Sequence, residues 1–486
     1  MPENAINARN ATIDKVGPEL KSIIGAIGGG MYDGAFSSLY PRRTGAECRE
    51  RYIGLINRYI DCFLGDGGGN SVSAAVGSGG GSVSGVEGGG GLNATAGPGS
   101  VVISSAPGRT EVCGNHTDHQ RGNVLAAAID LDIICVAAPN GLNSIRLKSI
   151  GHAGMIDVDL SVLSPLENER GDATALIRGL AAWFSARGVR LSGFDAYTTS
   201  DVLVGSGLSS SAAFEVAVGT AMNAMFGAGL SAQDIAIAGQ YAENQFFGKP
   251  CGLMDQTASS VGGFVRIDFG DPRNPIVEPI QYDPAADGLS LCVVNTKGSH
   301  ADLIGEYAAI PAEMRAVASY FGKEYLREVD ENEFYSCIAD IRDKLREKVN
   351  ADRALLRAIH FFRENKLVAE MAGALKAADK QRFLGGIIRS GHSSFTCLQN
   401  IYAVSAPGEQ GLSVALALSE AALGGAGGAW RVHGGGFAGT IMAFVPAGLN
   451  EEYKRALEAV FGEGSCIELS IRKQGGVIVT PDMQGA

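Results

Sequence analysis

Between Gly65 and Gly99, 15 of 35 residues are glycine, no aromatic occurs, and only Asp66 and Glu87 carry charge. Glycine loses more backbone freedom on ordering than any other residue, and a stretch with so little apolar volume cannot bury enough surface to offset that loss. The segment reads as a flexible insert that carries no chemistry, so the fold must be built from the residues on either side of it. On its N-terminal side, TGAECRERYIGLINRYIDCFLG places Tyr52, Leu55, Ile56, Tyr59, Ile60 and Phe63 at three-and-four spacing, which predicts an amphipathic helix. The earlier glycine cluster from Gly25 to Gly30 reads as part of a loose N-terminal extension, giving an extension and helix over residues 1–64 and the insert over 65–99.

Beyond the insert, SVVISSAPGRTEV has β-branched residues before Pro107 and Gly108, the pattern of a strand ending in a turn. NVLAAAIDLDIICVAAP continues the strand-rich pattern. Helices are expected at ATALIRGLAAWFSARG and at SSSAAFEVAVGTAMNAMF, the second opening with serines suited to an N-cap. Residues 301–385 read as mostly helical, and short apolar strands return at GTIMAFVP and GGVIVTP. Strands and helices are mixed without a regular βαβ rhythm, so the fold class expected is α+β.

The 486 residues, 45% of them hydrophobic, suffice for two or three domains with a large core. A net charge of -12 opposes the phosphate field of nucleic acid and the surface of an anionic membrane, so neither is expected as a partner. Nine cysteines without a C-x-x-C pair read as reduced, mostly buried thiols. The start of the chain lacks a basic stretch followed by an apolar one, and no run of about 18 apolar residues occurs, so the expected location is cytoplasmic.

GRTEVCGNHTDHQRG, residues 108–122, concentrates arginine, histidine and carboxylate between glycines, which leaves metal binding, acid-base chemistry and hydroxyl recognition open. In VLVGSGLSSSAAFEV, Gly205 and Gly207 precede the serines that open a helix; backbone N–H groups at such a start form an anion cradle, although a tight turn would read the same way. In AENQFFGKPCGLMDQTASSVGG, Glu243 and Asp255 are separated by Gly248, Pro250 and Gly252, so the chain can turn back and bring both carboxylates to one site, one for Mg²⁺ and one for the attacking hydroxyl. A solvated helix residue and an N-cap are the plain alternatives. RVHGGGFAGTIMAFVP suits close backbone approach to a ligand or a hairpin.

Taken in order, these segments resemble the GHMP family of small-molecule kinases and, within it, the galactokinases. APGRTEVCGNHTDHQRG is similar to the signature A-P-G-R-x-x-x-x-G-E-H-T-D-Y, VGSGLSSSAA to the family's phosphate loop, and HGGGFAG to its third motif. AENQFFGKPCGLMDQ resembles the segment that holds the catalytic aspartate, and NTKGSHADLIGEY the stretch ending in a sugar-site tyrosine. The resemblance implies a two-domain α+β architecture, residues 100–288 and 289–486, with the active site in the interdomain cleft. It implies transfer of phosphate from ATP to the anomeric hydroxyl of galactose. Asp255 and Arg109 would then be catalytic, with Arg109 holding Asp255 ionised. Asn115, His116, Asp118, Gly252 and Tyr307 would bind the sugar; Gly205, Gly207, Leu208, Ser209, Ser210 and Ser211 would bind ATP; and Ser211 with Glu243 would ligate Mg²⁺.

The chain departs from the family pattern at Asn115 (Glu), His119 (Tyr), His433 (Thr), Ala438 (Gly) and Leu203 (Pro). Removing a carboxylate at position 115 removes repulsion toward a carboxylate at C6, so a galacturonate or L-arabinose 1-kinase is the alternative acceptor reading. Zinc held by His116 and His119 is a weaker rival, because no second cluster of ligands accompanies them. From other classes come a catalytically silent sugar and ATP sensor and a scaffold that uses the insert; the intact serine run with Arg109 and Asp255 favours an enzyme.

Overall fold

The computed structural model describes residues 3–65, 99–203, 207–249, 251–298 and 303–483, with residues 3–8 and 304 described by their backbone alone. The flexible insert, apart from its end residues, and Gly205 lie outside the described residues.

The described strands are β1 Val102–Cys113, β2 Asn123–Pro139, β3 Ser144–Ser149, β4 Ile156–Asp159, β5 Phe194–Ser200, β6 Phe264–Asp268, β7 Ile276–Ile280, β8 Leu289–Asn295, β9 Ala429–Val432, β10 Thr440–Pro446, β11 Cys466–Leu469 and β12 Val477–Ile478. They form two sheets. The larger has the order β12-β1-β2-β5-β3-β4, and the smaller β11-β8-β10-β9. The long strand β2 serves two neighbours on its second edge: its start pairs with β6, which pairs with β7, and its end pairs with β5. All of these pairs are antiparallel except β3 with β5. Although β12 lies near the end of the chain, it pairs with β1.

β2 reads as a nearly continuous apolar run, and β1 is buried along its whole length, because both faces of this sheet are covered. Successive side chains alternate between faces. Val102, Cys135 and Ala137 enter the core under helix Ser210–Met225, with Val216 and Ala217. Ile103, Ile134 and Val136 enter a second core with Leu20, Ile27, Phe36, Tyr52, Leu55 and Ile56. The loose N-terminal extension expected from the sequence is therefore corrected: helices Glu3–Gly28, Asp33–Leu39 and Gly45–Phe63 are a packed layer on the outer face of the sheet. The glycine cluster closes the first helix, and Gly30, at φ 81, turns the chain out of it. Thr44 caps the third helix in a capping box with Glu47.

A buried charge network ties this layer down. Asp132 on β2 takes Arg51 at 2.6 Å, Arg472 at 3.1 Å, the Tyr40 hydroxyl at 2.5 Å and the Ser105 hydroxyl. Burial alone would raise the Asp132 pKa, but the two guanidinium groups and the hydroxyls overcome it and hold it at about 2.

The smaller sheet sends Leu291, Val293, Met442 and Phe444 into the core shared with the larger sheet, and Val294, Ile441 and Ala443 against helices Gly411–Leu423 and Asn450–Phe461. Residues 303–398 are mostly helical, dominated by Ile304–Tyr320, Ala351–Lys376 and Lys380–Ser393. Helices and strands combine as α+β. No helix among the described residues is long and apolar enough to cross a membrane.

β1 does not end in a turn at Pro107 and Gly108, contrary to the sequence reading. It continues to Cys113 through a register shift between Pro107 and Arg109, the kind of irregularity at which proline's missing N–H is tolerated. A Cβ on Gly108 would lie 2.7 Å from the Leu208 carbonyl. Glycine at this position lets the segment before helix Ser210–Met225 cross the strand, where Arg109 N donates to Leu208 O at 3.0 Å.

Candidate active site

The shift in β1 delivers Arg109 to the start of two helices. Its Nε and Nη2 donate to the two carboxylate oxygens of Asp255, both at 2.7 Å, and its Nη1 donates to the Gly207 carbonyl. Asp255 lies in the first turn of helix Met254–Val261. The Ser209 hydroxyl also donates to Asp255. The sequence suggested a serine N-cap on helix Ser210–Met225. The structure instead puts Ser209 at φ 58 with no side-chain cap, its hydroxyl drawn to the carboxylate. Burial would raise the Asp255 pKa, but Arg109 and the Ser209 bond win and hold it below the usual carboxylate value.

Glu243 begins a π-turn, Glu243–Phe247, at the end of helix Ala232–Ala242 and is 3% exposed, so it is not a solvated helix residue. Its Oε1 accepts from Ser211 Oγ at 3.3 Å and from Lys249 Nζ at 2.9 Å, and its Oε2 accepts from Gln256 Nε2 at 2.9 Å. Gln256 Nε2 also donates to the buried Glu215 at 3.0 Å. Burial and the nearby Glu243 push the Glu215 carboxyl well above its usual range. Glu215 lies one helical turn beyond Ser211, so this buried amide bridge fixes both the helix start and Glu243.

A cavity of about 280 Å³ opens beside Arg109 and Asp255 and is lined among others by Glu111, Asn115, His116, Asp118, Lys249 and Gly252. Asp118 takes the backbone N–H of His119 on Oδ1 at 2.9 Å. Gly252 runs so close that a Cβ there would lie 2.3 Å from Asp118 Oδ2. His116, at φ 59, donates from Nε2 to Gly435 O at 3.1 Å; burial first, then neighbouring His119, lowers its pKa to about 4, so the ring is neutral. His433 is buried between Thr440 and the Glu111 N–H and is likewise neutral, lowered to about 3 by burial and by Arg109. The third glycine segment supplies carbonyls that tie this loop in place: Gly434 O accepts from Asn115, and Gly435 O from His116 and Asn400. Tyr307 donates to Gly436 O at 2.8 Å and meets Phe437 edge-on; it does not line the cavity.

A larger cavity of about 430 Å³ lies over β3 and β5, lined among others by Leu147, Met155, Thr198, Ser210, Ser211 and Phe214. The two cavities thus both reach the same helix start, one through Ser210 and Ser211, the other through Asp255 bonded to Ser209.

Sequence reasoning brought Arg109, Asp255, Ser209, Ser211, Glu243, Asn115, His116, Asp118 and Gly252 to one region, and the structure places them together. It missed Glu111, Lys249, Glu215 and Gln256. Glu111 was within reach of the sequence, because it lies two residues from Arg109 on one strand and so shares its face. Glu215 and Gln256 are known as partners only from the way three helices pack. His360 and Glu364, on helix Ala351–Lys376, hold the cavity loop from behind, His360 at Asn115 O and Glu364 at the Gly114 N–H.

The chain matches the family of GHMP kinases, N terminal domain, over residues 174–263, and the galactokinase galactose-binding signature over residues 94–139. A galactokinase from Actinobacillus pleuropneumoniae is 31% identical over 353 residues, 72% of this chain and 87% of that protein. One from Streptomyces coelicolor is 32% identical over 360 residues, 74% and 88% of the two chains. Among solved structures, Lactococcus lactis galactokinase complexed with galactose superposes with a TM-score of 0.63 at 21% identity, covering 78% of this chain and 95% of that one. Methanococcus jannaschii mevalonate kinase gives 0.55 at 14%, covering 77% and 99%. At these identities the two structures establish a common fold.

Proposed function

The chain belongs to the galactokinase family of GHMP kinases, and from that premise we propose that it transfers the γ-phosphoryl group of ATP to the anomeric hydroxyl of galactose. One observation carries the reading: a sugar-sized and a nucleotide-sized cavity converge on the start of helix Ser210–Met225, and Arg109 with Asp255 stands at the junction. The nucleoside occupies the larger cavity, and its phosphates lie over the backbone N–H groups of Gly207 to Ser211. On this reading the chain divides into domains over 100–288 and 289–486, with the end of the second returning as β12 to pair with β1 of the first.

In the smaller cavity Asp118 accepts sugar hydroxyls, and His116, its Nε2–H committed to Gly435, offers Nδ1 as an acceptor. Asp255 accepts the hydrogen bond of the anomeric hydroxyl. Held ionised by Arg109, it is a weak base, so it takes the proton late, as the bond from sugar oxygen to phosphorus forms and the bond to the leaving ADP oxygen breaks. Arg109 steadies the charge that develops on the transferring group. The donor set suits a hard cation in type, since Ser211 and Glu243 present oxygens 3.3 Å apart, and Lys249, which bonds the same Glu243 oxygen, would have to yield it to the cation. Mg²⁺ bound with ATP would be held by Ser211 and Glu243 and would neutralise phosphate charge.

Coupled ADP release across galactose, glucose, L-arabinose and galacturonate tests the reading. Asp255→Asn should lower kcat by about 10² to 10⁴. Sugar and ATP binding without ADP release would establish a sensor instead.

A further inference from the structure

We propose that Glu111, braced by Asn115, is the residue that sets the acceptor class, so that the pocket takes a neutral sugar and refuses a uronate. The inference rests on the phosphotransfer reading and narrows its substrate. Position 115 alone suggested the opposite, because Asn replaces a carboxylate there. The structure shows that the acidic group has not left the pocket: Glu111, entering from β1, lines the same cavity.

Asn115 and Glu111 use their hydrogen-bonding groups differently. Asn115 Nδ2 donates to Glu111 Oε1 and to Gly434 O, each at 2.8 Å, and Asn115 Oδ1 accepts from Asn400 at 2.7 Å. Both amide hydrogens are committed to protein acceptors, so Asn115 has no donor left for a sugar and acts as a strut. Glu111 receives that strut on one oxygen. Its other oxygen takes no hydrogen bond from a described residue, which leaves it available to a sugar hydroxyl. A uronate carboxylate entering here would meet Glu111 and Asp118 together. Of the nearby cations, Arg109 is paired with Asp255 and Lys249 with Glu243, while Arg431, fully buried and donating to the carbonyls of Val112 and Val432, does not line the cavity. A third carboxylate added beside Glu111 and Asp118 is strongly disfavoured, whereas a carboxylate meeting a hydroxyl forms a charge-assisted bond.

The test compares the full chain with Glu111→Gln, which preserves size and can keep the Asn115 contact. Specificity constants for galactose and galacturonate are measured by ADP release, dissociation constants for both sugars by calorimetry, and folding by Tm. The wild type should favour galactose by about 100-fold or more, and Glu111→Gln should shrink that ratio about tenfold or more, losing on galactose and gaining on galacturonate. A wild type that uses both sugars equally, or a well-folded Glu111→Gln with an unchanged ratio, would overturn the assignment. If neither sugar is phosphorylated, the kinase reading fails, and the ratio of the two dissociation constants in the two proteins still decides the role of Glu111. If Glu111→Gln does not fold, Glu111→Asp, which keeps the charge but draws it back, should retain refusal of galacturonate while weakening galactose; loss of refusal would overturn the assignment.

Discussion

Replacing Gly252 with alanine separates binding from stability at a single atom. The backbone at Gly252 lies outside the left-handed region, so alanine is sterically acceptable to the main chain, and the smaller entropy of its unfolded state favours folding by about 0.4–1 kcal/mol. The added Cβ would lie 2.3 Å from Asp118 Oδ2, whereas ordinary van der Waals contact begins at 3.4 Å, so the carboxylate must swing away by about 1 Å. Rotating the end of a short side chain is cheap, because the contact Asp118 makes with protein is through Oδ1 to the neighbouring His119 N–H. A displacement of that size nevertheless stretches a hydrogen bond beyond useful length. Losing one charge-assisted bond is worth about 1.5–3 kcal/mol, which corresponds to a fall in kcat/KM for galactose of about 10- to 150-fold. Asp118 touches hydroxyls that do not react, so the loss should appear in KM, with kcat within about threefold of the wild type. Steady-state ADP release with a thermal melt measures both. An unchanged KM at unchanged Tm would refute the placement of Asp118 on the sugar, and a Tm fall beyond about 5 °C would show that the close approach serves the fold instead.

The preference for a neutral sugar should depend on pH. Burial raises the Glu111 pKa to about 7 against the pull of Arg431, Asn115 and Arg109, so the carboxyl is charged above that pH and neutral below it. The neighbouring His116 and His433, lowered to about 4 and 3, stay neutral throughout, and Asp255 stays ionised. The ratio of galactose to galacturonate turnover should therefore rise as pH increases from about 6 to 8, and Glu111→Gln should flatten that profile. At Asp132 the pKa is depressed from 3.8 to about 2, so its contribution is complete above pH 4 and disappears as pH falls through 2. That difference is worth about 2 kcal/mol. Urea midpoints across this range should show the loss in the wild type, while Asp132→Asn, which strands Arg472 and leaves Arg51 only Asp201 as a carboxylate partner, should cost about 3–5 kcal/mol at neutral pH and lose the acid slope. Deleting residues 1–98 should give an insoluble or molten product, because Ile103, Ile134 and Val136 lose their cover at about 1.5–3 kcal/mol each, and Asp132 loses Arg51 and Tyr40. Soluble yield and dye binding check this, and a truncated chain with native Tm would contradict it.

Much of the local structure was legible because it depends on neighbours in the chain. The spacing of Tyr52, Leu55, Ile56 and Tyr59 predicts a helix, and helix Gly45–Phe63 is present; NVLAAAIDLDIICVAAP is strand β2 from end to end. The residue types of the site were also legible, since glycines before serines, an arginine after a glycine and two carboxylates around a turn are chemistry written in short segments. The N-terminal layer was misread because its glycine cluster suggests looseness, whereas its apolar stripe packs on a sheet whose first strand begins 39 residues after the layer's last helix ends. β1 was cut short because Pro107 and Gly108 signal a turn when their partner strand is unknown.

By its order of residues, this chain settled helix Gly45–Phe63 and strand β2 and supplied the residue types from which the proposed site is drawn. Tertiary structure alone decided that Ser209 caps no helix but serves Asp255, that Gln256 bridges Glu215 and Glu243, and that Asn115 commits its amide to Glu111 and Gly434. Those outcomes depend on distances between segments far apart in sequence, and a side chain's hydrogen-bonding choice follows the partner that burial brings within 3 Å.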